Sequence, residues 1–97
     1  MNVTVTETAT STNIVVDGNI DVLNFKNFQK KLASVSRNTS KDIVIDLINM
    51  DYISSTTIGD LYNLRKAQEK KGKKLIFNNI SFAIVKSLNY CLLLQRR

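Results

Sequence analysis

The chain has 97 residues, of which 43% are hydrophobic and 23% are charged, the balance of a folded globular domain. It carries 14 basic and eight acidic residues, for a net charge of +6, with one cysteine and no histidine. These counts exclude an intramolecular disulfide, the usual zinc and copper sites, and any catalytic device that needs histidine.

Its apolar runs are too short to cross a bilayer, and the N-terminus has neither the basic segment nor the apolar core of a secretory signal. We therefore expect a cytoplasmic protein without a membrane span. The sequence has no Gly-rich phosphate loop and no paired acidic motif. This argues against an enzyme and against a bound cofactor.

The first part of the chain predicts two strands and a helix. Residues 2–8 (NVTVTET) alternate valine with polar residues, and residues 12–18 (TNIVVDG) follow after a short connection, which favours an antiparallel pair. From about Asn24 the apolar spacing becomes that of a helix. The apolar face of this helix consists of Phe25, Phe28, Leu32 and Val35.

Strand and helix patterns alternate after residue 40. Residues 42–47 (DIVIDL) are rich in β-branched residues without clear alternation, which predicts a central strand covered on both faces. A helix then runs to Gly72, a residue suited to a C-terminal cap. Residues 73–79 predict a further strand, and residues 81–94 predict a third helix with Ser81 as its N-cap.

This order predicts parallel strands joined by right-handed crossovers. We expect an α/β fold, with a mixed, mostly parallel sheet and helices packed against it. A single domain should span residues 1–97, with the C-terminal helix short or missing. The apolar end of that helix would leave a surface for a partner or mark a truncated domain.

Four consecutive hydroxyl residues, 54–57 (SSTT), lie at the turn between the central strand and the second helix. Open α/β sheets usually bind ligands at such turns, and a helix N-terminus stabilises an anion such as phosphate. Thr57 and Asp60 have the spacing of a capping box, so we expect Thr57 to be mainly structural. The other three hydroxyls are free to form a switch site or to be ordinary loop residues.

Five lysines crowd the end of the second helix and the turn after it. They are Lys66, Lys70, Lys71, Lys73 and Lys74. Cations there complement the helix dipole, and no aromatic residues interleave with them, so we interpret the cluster as mainly structural. A small basic nucleic-acid binder remains an alternative, which salt-sensitive binding to generic DNA would reveal.

Residues 43–79 (IVIDLINMDYISSTTIGDLYNLRKAQEKKGKKLIFNN) resemble the central part of a STAS domain, the fold of bacterial anti-sigma factor antagonists. The family pattern is a strand ending in Asp-Leu, then Asp-Ser-Ser/Thr-Gly-Leu/Ile-Gly, a helix, Lys/Arg-Gly and a strand. Upstream, Gly18, Ile20 and Asp21 match the family's Gly-x-Leu/Ile-Asp segment before its first helix. The resemblance covers about residues 12–90.

The resemblance implies that Ser55 is the serine that a cognate kinase phosphorylates. Thr56 matches the second hydroxyl, and Thr56 and Ser54 are the alternative acceptors. Two positions depart from the family pattern, since Ser54 replaces the aspartate and Thr57 replaces the first glycine. The first change removes a negative charge beside the acceptor, and the second restricts the backbone.

The function that the resemblance implies is partner switching in transcription regulation. An unmodified antagonist binds an anti-sigma factor with a kinase-like ATP-binding domain and frees the sigma factor, and phosphorylation ends the complex. A serine phosphatase would be a further partner, and the chain would be a monomer or a weak dimer without direct contact to nucleic acid. The alternative is a non-phosphorylated interaction module of a transporter or of a larger signalling assembly.

We expect the partner to contact the hydroxyl turn and the exposed face of the helix after it. The predicted contact residues are Asp21, Tyr52, Ser54, Ser55, Thr56, Thr57, Asp60, Asn63 and Lys66. Asp21 is placed here by the family arrangement, and a turn or helix-start role is an equal alternative for it.

Overall fold

In the part of the chain that the structure describes, four strands form one sheet, and three helices connect or follow them. The computed structural model describes the backbone of residues 2–90 and the side chains of residues 2–86. The elements in chain order are β1 (Asn2–Glu7), β2 (Ser11–Asp17), α1 (Phe25–Asn38), β3 (Asp42–Ile48), α2 (Ser55–Lys70), β4 (Leu75–Asn78) and α3 (Phe82–Tyr90). Each predicted strand and helix is present, and the observed bounds differ from the predicted ones by a few residues. The continuation of the third helix to residue 94 and the apolar end of the chain lie outside the described residues.

Strands β1 and β2 form an antiparallel hairpin, as the sequence predicts. Val3 lies opposite Val16 and Val5 lies opposite Ile14. Directly opposed residues share a face of the sheet, so all four valine and isoleucine side chains point towards the core. The residues between them, Thr4 and Val15, point to the other face.

Strands β2, β3 and β4 are parallel, and the sheet order is β1-β2-β3-β4. The two crossovers therefore move in the same direction across the sheet. Because such crossovers are right-handed, α1 and α2 pack on the same face. The mixed, mostly parallel sheet is the predicted architecture.

The central strand β3 is fully covered on one face only. Ile43, Ile45 and Leu47 are buried, whereas the residues between them are half-buried. The prediction of cover on both faces is therefore wrong. Two crossovers of the same hand and direction place both helices on one face, so the second face of β3 is only partly covered. β-branched residues are favourable in a half-buried strand as well as in a buried one.

The core lies between the sheet and the helices. Its fully buried side chains include Phe28 of α1 and Leu61 of α2, and Ile84 of α3 joins the same cluster. Phe28, Leu32 and Val35 confirm the predicted apolar face of α1, and Phe25 is partly buried against the core.

The end of α2 and the start of α3 use the predicted residues. Gly72 follows α2 in a left-handed conformation, with φ of 71°, and its amide donates to the Glu69 carbonyl at 3.0 Å. Ser81 caps α3, since its Oγ accepts a hydrogen bond from the Ile84 amide at 3.3 Å. One lysine of the basic cluster has a structural contact, because Lys71 Nζ donates to main-chain carbonyls at the end of α1.

No helix within residues 2–90 is both long enough and apolar enough to span a membrane.

Candidate partner-binding edge

The candidate site lies at the edge of the sheet where β2 and β3 end. Gly18 has a φ of 101° and donates its amide to the Ile48 carbonyl at 2.8 Å. Asn49, also left-handed with φ of 58°, donates its side-chain Nδ2 to the Asp17 carboxylate at 2.9 Å. These bonds hold the chain segments after the two strands side by side.

A second pair of hydrogen bonds joins the same segments. The Asn19 side chain donates to the Asp51 carboxylate at 2.9 Å and accepts from the Asp51 amide at 3.1 Å. We name residues 17–24 and 48–56 the edge loops. Their mutual bonds fix the backbone on which the hydroxyl turn is presented.

Ser54 is the N-cap of α2. Its Oγ accepts a hydrogen bond from the Thr57 amide at 3.2 Å and donates to the Thr57 hydroxyl at 3.1 Å. The predicted capping box of Thr57 and Asp60 is therefore wrong, because Thr57 is the third residue of the helix. The Asp60 Oδ1 instead accepts a hydrogen bond from Gln29 Nε2 at 3.1 Å. Serine and aspartate are both strong N-caps, so Ser54 can do the capping that the aspartate of the family pattern would do.

Thr57 holds the turn from inside the fold. Its side chain is 1% exposed, so the prediction that this side chain lies on the partner surface is corrected. It also has an ordinary helical backbone, because the only non-glycine residues with positive φ in the described part of the chain are Asn49 and Asn79. Threonine in place of the family's glycine therefore imposes no backbone strain here.

Ser55 and Thr56 are the hydroxyl residues that the turn exposes to solvent. They occupy the first two positions of α2, at the positive end of the helix dipole. A phosphate group on either hydroxyl would lie near unpaired amides of the first turn, a setting that stabilises an anion. The geometry leaves both side chains open to a modifying enzyme.

A pocket of 420 Å³ opens beside this first turn. It is lined by Ile20, Asp21, Val22, Phe25, Tyr52, Ser54 and Thr56. The structure thus brings four of the predicted residues, Asp21, Tyr52, Ser54 and Thr56, around one pocket. We name this the edge pocket.

Asp21 forms part of the turn before α1, which is one of the two roles expected for it, and it also lines the edge pocket. Its carboxylate Oδ1 accepts a hydrogen bond from the Leu23 amide at 2.9 Å, and its amide donates to Asn24 Oδ1 at 2.7 Å. The Asp21 carbonyl accepts the Phe25 amide at 2.9 Å, which begins α1. The side chain is nevertheless exposed, so the turn role does not remove it from the surface.

The sequence did not predict that Val22 lines the edge pocket or that the adjacent Leu23 is exposed. Val22 is 83% exposed and Leu23 is 89% exposed, and Tyr52, which also lines the pocket, is 59% exposed. Two adjacent apolar residues that fall outside the periodic face of α1 are the signal that could have found them. Val22 and Tyr52 give the pocket lining an exposed apolar part.

Asp60 and Asn63 face a different surface. Both line a cleft of 220 Å³ between α1 and α2, with Gln29 on the opposite helix. Partial burial raises the pKa of the Asp60 carboxyl, and the hydrogen bond from Gln29 acts in the opposite direction. The Asp60 Oδ2 is buried and has no hydrogen-bond partner within the described part of the chain.

Lys66 lies further along α2 and is not brought to the edge pocket. It is eleven positions after Ser55, which corresponds to about 16 Å along a helix. Its Nζ lies 5.6 Å from the centre of the Tyr62 ring, within cation-π range. The predicted partner surface thus divides into the edge pocket with Ser55, the interhelical cleft, and Lys66.

Within the residues that the structure describes, no group of three or more cysteine, aspartate or glutamate side chains is placed to hold a metal ion. The chemistry that the edge offers is that of exposed hydroxyls beside an apolar pocket.

Comparison with known proteins identifies the family. A search of curated protein sequences found no match. Among solved structures, the chain is similar to the anti-sigma factor antagonist SpoIIAA in its unphosphorylated form, with a TM-score of 0.75 and 14% sequence identity, covering 92% of this chain and 83% of that chain. At this identity the likeness shows the fold. The sequence profile of the STAS domain matches residues 2–95, and the chain therefore belongs to the STAS domain family.

Proposed function

We propose that this chain is an anti-sigma factor antagonist that acts by partner switching in the cytoplasm. Its unmodified form would bind an anti-sigma factor with a kinase-like ATP-binding domain. Phosphorylation of Ser55 would end that complex, and a serine phosphatase would restore it. The observation that carries this proposal is the position of Ser55, which matches the family's acceptor serine and is exposed at the first turn of α2.

Phosphorylation would change the edge in two physical ways. It adds about −1.5 to −2 charges and a bulky group, which costs desolvation if the partner covers the hydroxyl turn. The positive end of the α2 dipole would stabilise the phosphate where it forms. The modified edge would therefore be stable in the free protein and unfavourable in the complex.

The two departures from the family pattern are compatible with this mechanism. Ser54 caps the helix in place of an aspartate, and Thr57 is buried without backbone strain. The same departures also favour a second candidate, a STAS module that binds a transporter or a larger assembly without being phosphorylated. In that case Ser54 and Thr57 would serve the fold alone, and the exposed hydroxyls would have no switching role.

Mapping of phosphate groups on the protein isolated from its native cells tests the proposal. We expect phosphate on Ser55, its loss in Ser55→Ala, and its retention in Thr56→Ala, which is the matched control because Thr56 is the other exposed hydroxyl of the turn. Ser55→Ala protein that is phosphorylated as fully as the parent would rule out Ser55 as the acceptor. Protein without phosphate under all growth conditions would favour the non-switching module.

A further inference from the structure

The edge pocket combines a cavity with exposed apolar side chains. Val22 and Tyr52 line a pocket of 420 Å³ and are both more than half exposed, and the adjacent Leu23 is also exposed. Contiguous exposed apolar surface at a concave site is typical of a place where another molecule binds. Burial of these side chains by a partner would be favourable in proportion to the apolar area removed from water.

The charge around the pocket is opposite to that of the chain as a whole. The edge loops contain Asp17, Asp21 and Asp51 and no lysine or arginine. The rest of the chain carries all 14 basic residues and only five acidic ones. The basic residues lie on α1, on α2 and in the turn after α2, among other places, whereas the one charged residue in the pocket lining is Asp21.

The acidic charge of this edge favours some binding partners over others. A basic protein surface would be attracted, and the phosphates of a nucleic acid or of an anionic membrane would be repelled. Binding energy at protein interfaces is concentrated in a few large side chains that fill pockets, with charged groups around them that fix orientation. Both features are present at this edge.

We propose that the edge pocket binds an apolar side chain of the protein partner, flanked on that partner by a lysine or arginine residue that faces Asp21. The inference rests on the proposed function, since it gives the chemistry of the partner that the STAS domain would bind. Thr56 and Ser54 line the same pocket, and Ser55 lies between them in the chain.

Two short peptides test this inference on the isolated, unmodified chain. The first is acetyl-Arg-Leu-Phe-Arg-amide, and the second is its acidic twin, acetyl-Glu-Leu-Phe-Glu-amide. In a titration followed by amide NMR signals at low salt, we expect the basic peptide to shift the signals of residues 20–24 and 52–56. The dissociation constant should be on the order of 1 mM, and binding of the acidic peptide should be at least about tenfold weaker.

Variants of the protein complete the test. Val22→Glu should abolish binding of the basic peptide, and Asp21→Asn, which keeps the acceptor for the Leu23 amide, should weaken it a few-fold. Ile76→Glu is the matched control, because Ile76 is also an exposed apolar residue but lies on β4, outside the pocket lining. The amide spectrum of each variant reports whether it is folded.

The inference is overturned if the two peptides bind equally, if the shifts fall outside the edge loops, or if Val22→Glu binds as well as the parent. This failure is distinct from failure of the proposed function, because the titration involves neither a kinase nor a phosphate. If the peptide does not bind but Ser55 is phosphorylated, only the partner chemistry proposed for this pocket is ruled out. If the basic peptide binds selectively but Ser55 is not phosphorylated, the binding role of the pocket is supported and the phosphorylation switch is ruled out.

Discussion

At the scale of single residues, Ser54 has the clearest structural role in the hydroxyl turn. Its side chain makes two hydrogen bonds to Thr57, one to the amide and one to the hydroxyl. The sequence placed the cap at Thr57 because any of four adjacent hydroxyls can cap a helix, and only the backbone decides which of them precedes the first turn. The consequence for the site is that Ser55 and Thr56, rather than Ser54, are left exposed.

The substitution Ser54→Ala tests this role. Loss of the cap leaves the Thr57 amide without its partner and should lower the free energy of unfolding by about 1 kcal/mol. Ser54→Asp is the control, because aspartate is an equally good N-cap and also interacts favourably with the helix dipole. Urea unfolding should therefore rank the parent and Ser54→Asp together, above Ser54→Ala. Equal stability of Ser54→Ala and the parent would show that the cap contributes nothing.

Asp60 should make the stability of the protein depend on pH. Burial raises the pKa of its carboxyl in the folded state. The neutral form is therefore favoured by folding, and this contribution is fully present below the ordinary pKa of aspartate and is lost as the pH rises through the raised value. Ionisation at neutral pH then costs stability, in part because Oδ2 has no described partner.

The substitution Asp60→Asn measures that cost. Asparagine keeps an acceptor oxygen for Gln29 and has no charge, so the variant should be more stable than the parent at pH 7. The difference should shrink as the pH is lowered through the acid range, because the parent becomes neutral there. Thermal unfolding across that range checks the prediction. A variant that is less stable at pH 7, or a difference that does not change with pH, would contradict it.

At the scale of elements, both ends of α2 have a defined role. Its first turn presents the hydroxyls, and Gln68 near its last turn is fully buried. The Gln68 Nε2 donates to the carbonyls of Lys41 and Lys74 at 3.0 Å each, immediately before β3 and β4. One amide group therefore fixes the starts of two parallel strands against the helix whose other end forms the site.

The substitution Gln68→Met tests this clamp. Methionine fills a similar volume but leaves both carbonyls without their side-chain donor, so the free energy of unfolding should fall by about 2 kcal/mol. Gln29→Met is a useful comparison, because Gln29 is only half-buried and makes one described side-chain bond. Urea unfolding of the two variants should show the larger loss for Gln68→Met. A loss for Gln68→Met no larger than that for Gln29→Met would mean that the clamp is dispensable.

Most elements could be predicted from the periodicity of apolar residues. The apolar face of α1 and the hairpin of β1 with β2 follow directly from spacings of 3.6 and 2. Gln68 was not predicted, although it lies seven residues after Leu61, where the helical pattern calls for an apolar side chain. A polar residue at such a position signals a buried hydrogen bond.

At the scale of the whole molecule, the handedness of two crossovers determines which face of the sheet is covered. The sequence could predict the alternation of strand and helix, but the composition of β3 could not distinguish one covered face from two. It also could not show that Val22 and Leu23 are exposed, since large apolar side chains are more often buried. The family match supplied the position of Ser55, and the fold placed the edge pocket next to it.

The separation of charge is also a property of the whole molecule. The edge loops hold three carboxylates and no basic residue in a chain of net charge +6. Surface charges act over about 10 Å at moderate salt, so the three carboxylates give these segments a local charge opposite in sign to the net charge of the chain. The proposed partner surface therefore differs from the remaining surface in charge as well as in apolar exposure.

Recovery of bound proteins from native cytoplasm measures the central claim, partner switching at Ser55, most directly. The baits are the unmodified chain and Ser55→Asp, with Ser40→Asp as a control at an exposed serine outside the edge loops. Aspartate suits the first turn of a helix, so Ser55→Asp should remain folded. Partner switching predicts that the unmodified chain and Ser40→Asp recover a kinase-like anti-sigma factor and that Ser55→Asp recovers much less. Recovery of a transporter component or a large assembly, to the same extent by all three baits, would contradict it.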